Sequence, residues 1–215
     1  MRWTRIVAAI VLTLCAQAVW AGDSGAQDTY RNPIIDRNLA DPAVIFHEGL
    51  YYLYATGDAE GNRGYRAYTS TNLVDWERGP MVFRSGERNT WAPDIWRDPD
   101  SGRFFLYYTA DKTVGVAEGE GPLGPFTTRR KFFDDAIDAH LFRDDGGRLY
   151  LYFVQLPDFQ IKVQPMANPT EPEGEPKVIL QPEADWETRA GRVTEGPWMI
   201  KRNARYYLLY SGSGA

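Results

Sequence analysis

The chain has 215 residues, 43% hydrophobic, 25% charged and 14% aromatic, enough to bury one sizeable core and unlike a disordered or collagen-like composition. A net charge of −5 has the wrong sign for neutralising phosphates, which argues against nucleic acid as a partner. Seven Trp, 13 Tyr and 10 Phe beside 20 Gly and 14 Pro favour short strands joined by tight turns over long helices.

Residues 1–21 read as a secretory signal: Arg2 and Arg5 precede a short apolar run from Ile6 to Leu14, and small residues follow at Ala16, Ala18 and Ala21. The run is too short to span a bilayer, and no later stretch approaches the roughly 18 apolar residues a membrane helix needs. The expectation is an exported protein, secreted or periplasmic, whose mature domain runs over 22–215 with no membrane in the mature form. The single cysteine, Cys15, lies inside the signal, so the mature chain would hold neither disulfide nor cysteine metal site.

Beyond the signal a pattern recurs four times: an acid, an apolar strand, a polar turn and an aromatic strand. The copies are Asp41–Tyr54, Asp94–Tyr107, Asp138–Tyr152 and Glu195–Tyr210, with hairpin chemistry at His47-Glu48-Gly49, Asp98 to Gly102, Asp144 to Gly147 and Lys201-Arg202-Asn203. A further strand pair follows each of the first three: Tyr65 to Ser70 with Trp76 to Phe83, Val114 to Ala117 with Phe126 to Arg129, and Ile161 to Met166 with Lys177 to Leu180. Each repeat is a four-stranded antiparallel sheet, and a period of about 50 residues suits a β-propeller blade. The predicted class is all-β with helices scarce. The pattern breaks off after one hairpin of the fourth repeat, so about three and a half blades are expected in an incomplete propeller.

First strands of propeller blades line a central channel in one direction, so residues at their starts converge on one mouth. Asp41, Asp94, Asp138 and Glu195 are read as holding that place in their four repeats. Carboxylates converging without Lys or Arg repel one another, which raises at least one pKa and favours acid/base work. His140 follows Asp138 by two residues and is expected on the same face. Trp91, Trp186 and Trp198 lie near the acids and offer faces for stacking there, while Trp76 and Trp96 are expected in the core. His47 is expected to be solvated in its turn. Two histidines are too few for a clustered zinc site. Asp98-Pro-Asp100 and Asp144-Asp145-Gly146 are read as turns rather than calcium loops. Gly119 to Gly124 matches a dinucleotide fingerprint by letter, but Pro122 and Pro125 prevent the helix that must follow, leaving a loop. Glu171 to Pro176 is expected to be a solvated acidic loop.

Ala40-Asp41-Pro42, Trp91-Ala92-Pro93-Asp94, Ile137-Asp138-Ala139-His140 and Glu195-Gly196-Pro197, in this order, resemble the motifs of family 43 glycoside hydrolases. The resemblance runs from about Asn32 to the last residue. It implies a five-bladed propeller that cleaves xylose- and arabinose-containing plant polysaccharides with inversion. It further implies Asp41 as general base, Glu195 as general acid, and Asp138 as the carboxylate that tunes and orients the acid. Asp94, Trp91 and His140 would help bind the sugar. No cofactor is required by this reading, and the channel leaves room for a structural calcium ion that the sequence does not show. The expected partner is a neutral pentose-containing saccharide, and the completed protein is expected to be a monomer. The competing class is a non-catalytic sugar-binding propeller or an inactive remnant of an enzyme. The presence of Asp41, Asp138 and Glu195 together speaks for the enzyme. Xylosidase, arabinofuranosidase and endo-arabinanase are not separated by these motifs.

Overall fold

Alternating aromatic and aliphatic runs cut by Gly, Asn and Asp fold into antiparallel hairpins, and in the computed structural model these account for nearly every element of residues 29–214, the residues described. The signal-type segment 1–21 with Cys15 lies outside them. Asn32–Ala215 form one compact unit. The first sheet is β1 (Ala40–His47), β2 (Leu50–Thr56), β3 (Gly64–Ser70) and β4 (Glu77–Arg84) in sequence order. The second is β5 (Thr90–Arg97), β6 (Phe104–Ala110), β7 (Thr113–Gly119) and β8 (Thr127–Asp134). The third holds β9 (Ala136–Arg143), β10 (Leu149–Gln155) and β11 (Gln160–Asn168), with β12 (Glu171–Pro172) and β13 (Lys177–Leu180) both on the outer side of β11. A hairpin of β14 (Thr194–Arg202) and β15 (Arg205–Gly212) begins a fourth. The fold is that of a β-propeller of four-stranded antiparallel blades. Helix is confined, among the described residues, to the 3-10 turns Glu60–Asn62 and Asp185–Glu187. No helix of these residues is long and apolar enough to cross a membrane.

The core lies between blades, as the pleat requires. Along β6 every residue is buried, and successive side chains serve opposite neighbours. Phe104, Leu106 and Tyr108 pack with Tyr54, Tyr65, Val82 and Phe83 of the first blade, whereas Phe105 and Tyr107 pack with Leu141, Leu151 and Phe153 of the third. A continuous apolar run is what a strand sandwiched on both faces needs. Ile137, Val154 and Ile161 of the third blade meet Leu208 and Tyr210 of β15. Trp76 and Trp96 pack against apolar clusters as expected.

Two expectations need correction. His47 is not free in its turn: it ends β1 and sets its ring edge-on against Phe104 at 5.0 Å, because the turn itself is only Glu48 and Gly49, both at positive φ. The acidic stretch after Asn168 is not wholly loop either, since Glu171–Pro172 pairs with β11. The fourth strand of that blade is split in two, and the buried Gln164 side chain fills the gap, its Nε2 donating to the carbonyls of Pro165, Glu173 and Gly174 at 2.8, 3.1 and 3.1 Å. The Pro165 carbonyl also accepts the Glu173 N–H at 2.8 Å, so side chain and backbone together close the gap.

Candidate active site

Each inner strand begins with the same irregularity. Pairing runs Ala40↔Thr56 then Ala43↔Tyr54 in the first blade, and Trp91↔Thr109 then Asp94↔Tyr107 in the second. It runs Ile137↔Val154 then His140↔Tyr152 in the third, and Glu195↔Ser211 then Trp198↔Leu209 in the fourth. Two inner residues thus oppose one on the partner strand, which is a β-bulge. The first bulge residue is left-handed in all four: Asp41 (φ 51°), Ala92 (φ 42°), Asp138 (φ 57°) and Gly196 (φ 61°). The second is Pro42, Pro93, Ala139 or Pro197, and proline suits a place where no ladder N–H is required.

This alignment corrects the reading of four acids in one register. Asp41 and Asp138 are equivalent, but their counterparts are Ala92 and Gly196. Asp94 aligns instead with Ala43, His140 and Trp198, and Glu195 aligns with Ala40, Trp91 and Ile137. The cause is the bulge itself, which places the acid on the left-handed residue in two blades, two residues later in one and one residue earlier in the last.

The bulges surround a cavity of about 330 Å³ lined by Asp41, Asp94, Asp138, His140, Trp198 and Ser211 together with bulge residues Pro42, Ala92, Pro93, Ala139, Gly196 and Pro197. No Lys or Arg lines it. A larger groove of about 580 Å³ on the flank of the first blade is lined by Ile34, Ile35, Leu39, Leu53 and their neighbours and carries no acid. Among the described residues no group of three His, Asp or Glu side chains is placed to hold a metal ion.

Hydrogen bonds cross from blade to blade at this level. The Thr56 hydroxyl donates to Asp41 Oδ2 at 2.7 Å and accepts the Ala92 N–H at 2.8 Å. Thr109 Oγ1 accepts the Asp138 N–H at 3.1 Å, and Asp138 Oδ2 accepts the Gly196 N–H at 3.0 Å. Asp94 is only 3% exposed and its Oδ2 accepts the Leu141 N–H at 2.9 Å, tying β5 to β9. His140 Nδ1 lies 3.3 Å from the same oxygen but out of hydrogen-bonding alignment, while Nε2 is 3.3 Å from the Met199 carbonyl. The His140 ring stacks on Trp198 at 4.2 Å between centroids, and Trp198 keeps 39% of its surface exposed. Trp91 does not line the cavity. It precedes its bulge, and it packs against the cluster of Ile137, Val154 and Ile161. Trp186 packs on Tyr210 at 5.4 Å, also away from the lining.

Electrostatics single out two carboxyls. Asp138 is pushed up to about 7, first by burial and then by the charges of Glu195 and Asp41, with the Gly196 amide pulling the other way. Glu195, half-buried one residue before its bulge, is raised by burial and then by Asp41. Burial thus comes first for both, and Asp138, expected to tune the acid, is itself displaced into the neutral range. Sequence reading missed Thr56, Ser211 and the bulge alanine and glycine. Prolines 42, 93 and 197, aligned with one another in place of the acids, would have revealed the bulges.

Comparison with known proteins bears on the fold and the family. The Aspergillus niger β-D-galactofuranosidase xynD is 29% identical over 218 residues, covering 85% of this chain and 59% of that protein. An extracellular exo-α-(1→5)-L-arabinofuranosidase of Streptomyces chartreusis is 29% identical over 86% of this chain and 62% of its own length. The chain thus spans about three fifths of the length of these curated relatives. Among solved structures, a thermostable family-43 glycoside hydrolase superimposes with a TM-score of 0.75 at 33% identity, covering 86% of this chain and 67% of that one. The family model for glycosyl hydrolases family 43 matches residues 30–215. With that match over nearly all the described residues, the chain belongs to glycosyl hydrolases family 43.

Proposed function

We propose that the protein is an exported, inverting glycoside hydrolase acting on neutral furanose- or xylose-containing saccharides, with Asp41 as general base, Glu195 as general acid and Asp138 as the group that tunes the acid. The observation that carries this reading is the convergence of Asp41 and Asp138, on equivalent bulges, at a cavity free of Lys and Arg, with Glu195 outside the lining but near enough for its charge to act on Asp138 and for that of Asp41 to act on it. An inverting enzyme needs one carboxylate to activate water and one carboxylic acid to protonate the leaving oxygen. In this assignment Asp41 takes a proton from water as the water oxygen bonds to the anomeric carbon. The glycosidic C–O bond breaks, and Glu195 gives its proton to the departing oxygen. The raised Glu195 suits an acid that must still hold its proton near neutrality. Asp138, close enough to Glu195 to feel its charge, is itself held toward its neutral form by burial, and the His140–Trp198 stack offers an aromatic platform at the cavity wall.

The acidic lining disfavours uronic or phosphorylated sugars, and the names of the two relatives favour furanosides. An α-L-arabinofuranoside and a β-D-galactofuranoside share ring stereochemistry, so the second is the reading to set beside the first. The relative described as extracellular supports export. The test is hydrolysis of aryl β-D-xyloside, α-L-arabinofuranoside and β-D-galactofuranoside, with the first-formed anomer followed by proton NMR. Turnover of at least one with inverted configuration is expected. Retention would remove Asp41 as water base, and sugar binding without turnover of any would leave a lectin-like propeller.

A further inference from the structure

We propose that Thr56 is a positioning residue that clamps the Asp41 carboxylate and locks it to the bulge of the next blade. The inference rests on the hydrolase reading only for its catalytic consequence. Thr56 and Thr109 occupy equivalent places, each opposite the residue before a bulge. Each hydroxyl accepts the amide of the first bulge residue in the following blade, Ala92 for Thr56 and Asp138 for Thr109. The third blade has Val154 in that place, which offers no hydroxyl, and there the Asp138 carboxylate takes the Gly196 amide instead.

What separates the two threonines is the bulge of their own blade. Thr109 faces Ala92, which has nothing to accept a proton, whereas Thr56 faces Asp41 and donates to its Oδ2 at 2.7 Å. The Ala92 amide fixes the hydroxyl oxygen from one side, so its one proton is directed at the carboxylate. One oxygen of Asp41 is thereby engaged and the other is left for a water molecule. Asp41 is exposed on a left-handed residue, where little else restrains χ1, so this single bond decides whether the carboxylate points across the cavity. No sequence motif draws Thr56 into the site, since its partners lie 15 and 36 residues away.

Two variants separate a clamp from mere packing. Thr56→Val keeps the shape and removes the hydroxyl, while Thr56→Ser keeps the hydroxyl. In aspartate-labelled protein, three-bond couplings to the Asp41 carboxyl carbon report χ1. They should show one rotamer in the wild type and in Thr56→Ser and an average over rotamers in Thr56→Val, with faster exchange of the Ala92 amide in the valine variant alone. Unchanged couplings in Thr56→Val would overturn the proposal, whatever the protein's activity. Should the valine variant not fold, the wild type still decides: an Ala92 amide that exchanges freely in the native protein also overturns it. Where turnover is measurable, Thr56→Val should lower kcat about tenfold or more with KM little changed, and serine should restore it. Wild-type protein with a fixed Asp41 rotamer and no turnover on any glycoside would count against the hydrolase reading and leave the clamp standing.

Discussion

The first and third blades carry carboxylates on their bulges, Asp41 and Asp138, while the second and fourth carry Ala92 and Gly196 on the same backbone. A left-handed alanine costs about 1 kcal/mol and brings no chemistry to offset it. Ala92 therefore shows that the bulge belongs to the architecture: its amide reaches back to Thr56 as the Asp138 and Gly196 amides reach back to Thr109 and Asp138. The device that staples each blade to the next also turns its first residue toward the cavity. Chemistry then depends only on which of the four positions holds an acid, and on one more acid, Glu195, a single residue upstream of a bulge.

The sharpest way to break that comparison is at the carboxylates. Asp41→Asn leaves the bulge and the Thr56 bond geometry in place and removes the base, so turnover should fall by about 10²–10⁴-fold for every glycoside, whatever its leaving group. Glu195→Gln should discriminate. A glycoside with a poor leaving group should lose about 10²-fold or more, while an activated aryl glycoside, which needs little proton assistance, should lose far less. Steady-state kinetics on both substrate types decides the matter, and equal losses for Glu195→Gln on the two would take it out of the acid role.

A third prediction compares the bulge acids through stability. The Asp138 carboxyl is raised in the folded state to about 7 from an ordinary 3.8, so the folded chain holds a proton there that the unfolded chain releases. Between those values stability must fall as pH rises, the loss being complete above about 7. Asp138→Asn cannot ionise, and its carbonyl still accepts the Gly196 amide. The variant should match the wild type near pH 3.5 and exceed it near pH 8 by about 2 kcal/mol, less than the full shift implies because part of the Asp138 surface opens on the cavity. Urea unfolding at both pH values reads this directly. Parallel profiles would mean that the carboxyl is better solvated than its surroundings indicate.

How much of this was legible follows from the range over which each feature is encoded. The hairpins are local. Lys177–Leu180 emerges at its predicted bounds, and β3 and β7 lie within a few residues of theirs, because turn chemistry and period-two alternation are written within ten residues. The bulge register was misread because an acid is a conspicuous letter and a left-handed backbone is not. Aligning on acids gave Asp94 the place of Asp41 and Asp138, whereas it stands two residues past its bulge, still on the cavity lining but buried and tied to the Leu141 amide of β9. Trp91 was assigned to the sugar for its nearness in sequence to Asp94, yet it stands on the strand residue before the bulge, and its ring goes to the apolar seam with Ile137 and Leu208. Thr56 and Gln164 carried no signal, since a hydroxyl or amide reveals its role only when distant backbone arrives beside it.

The smallest expected effect concerns the two bulges without acids, and it measures what the backbone device itself costs. Gly196 has φ 61°, and a Cβ placed there would meet only Ser211 Oγ at 3.9 Å, an ordinary contact. Gly196→Ala therefore tests conformation alone. Left-handed backbone penalises alanine by about 1–2 kcal/mol, while the stiffer unfolded chain returns about 0.4–1 kcal/mol. The net should be a loss of about 0.5–1 kcal/mol. Ala92→Gly runs the same exchange backwards at φ 42° and should be neutral or raise stability by a similar amount. Urea midpoints of the two single variants, measured at one pH, should move in opposite directions or only the first should move. A stabilised Gly196→Ala would mean that the fourth bulge is not left-handed in solution, and that the Gly196 amide reaches Asp138 by another geometry.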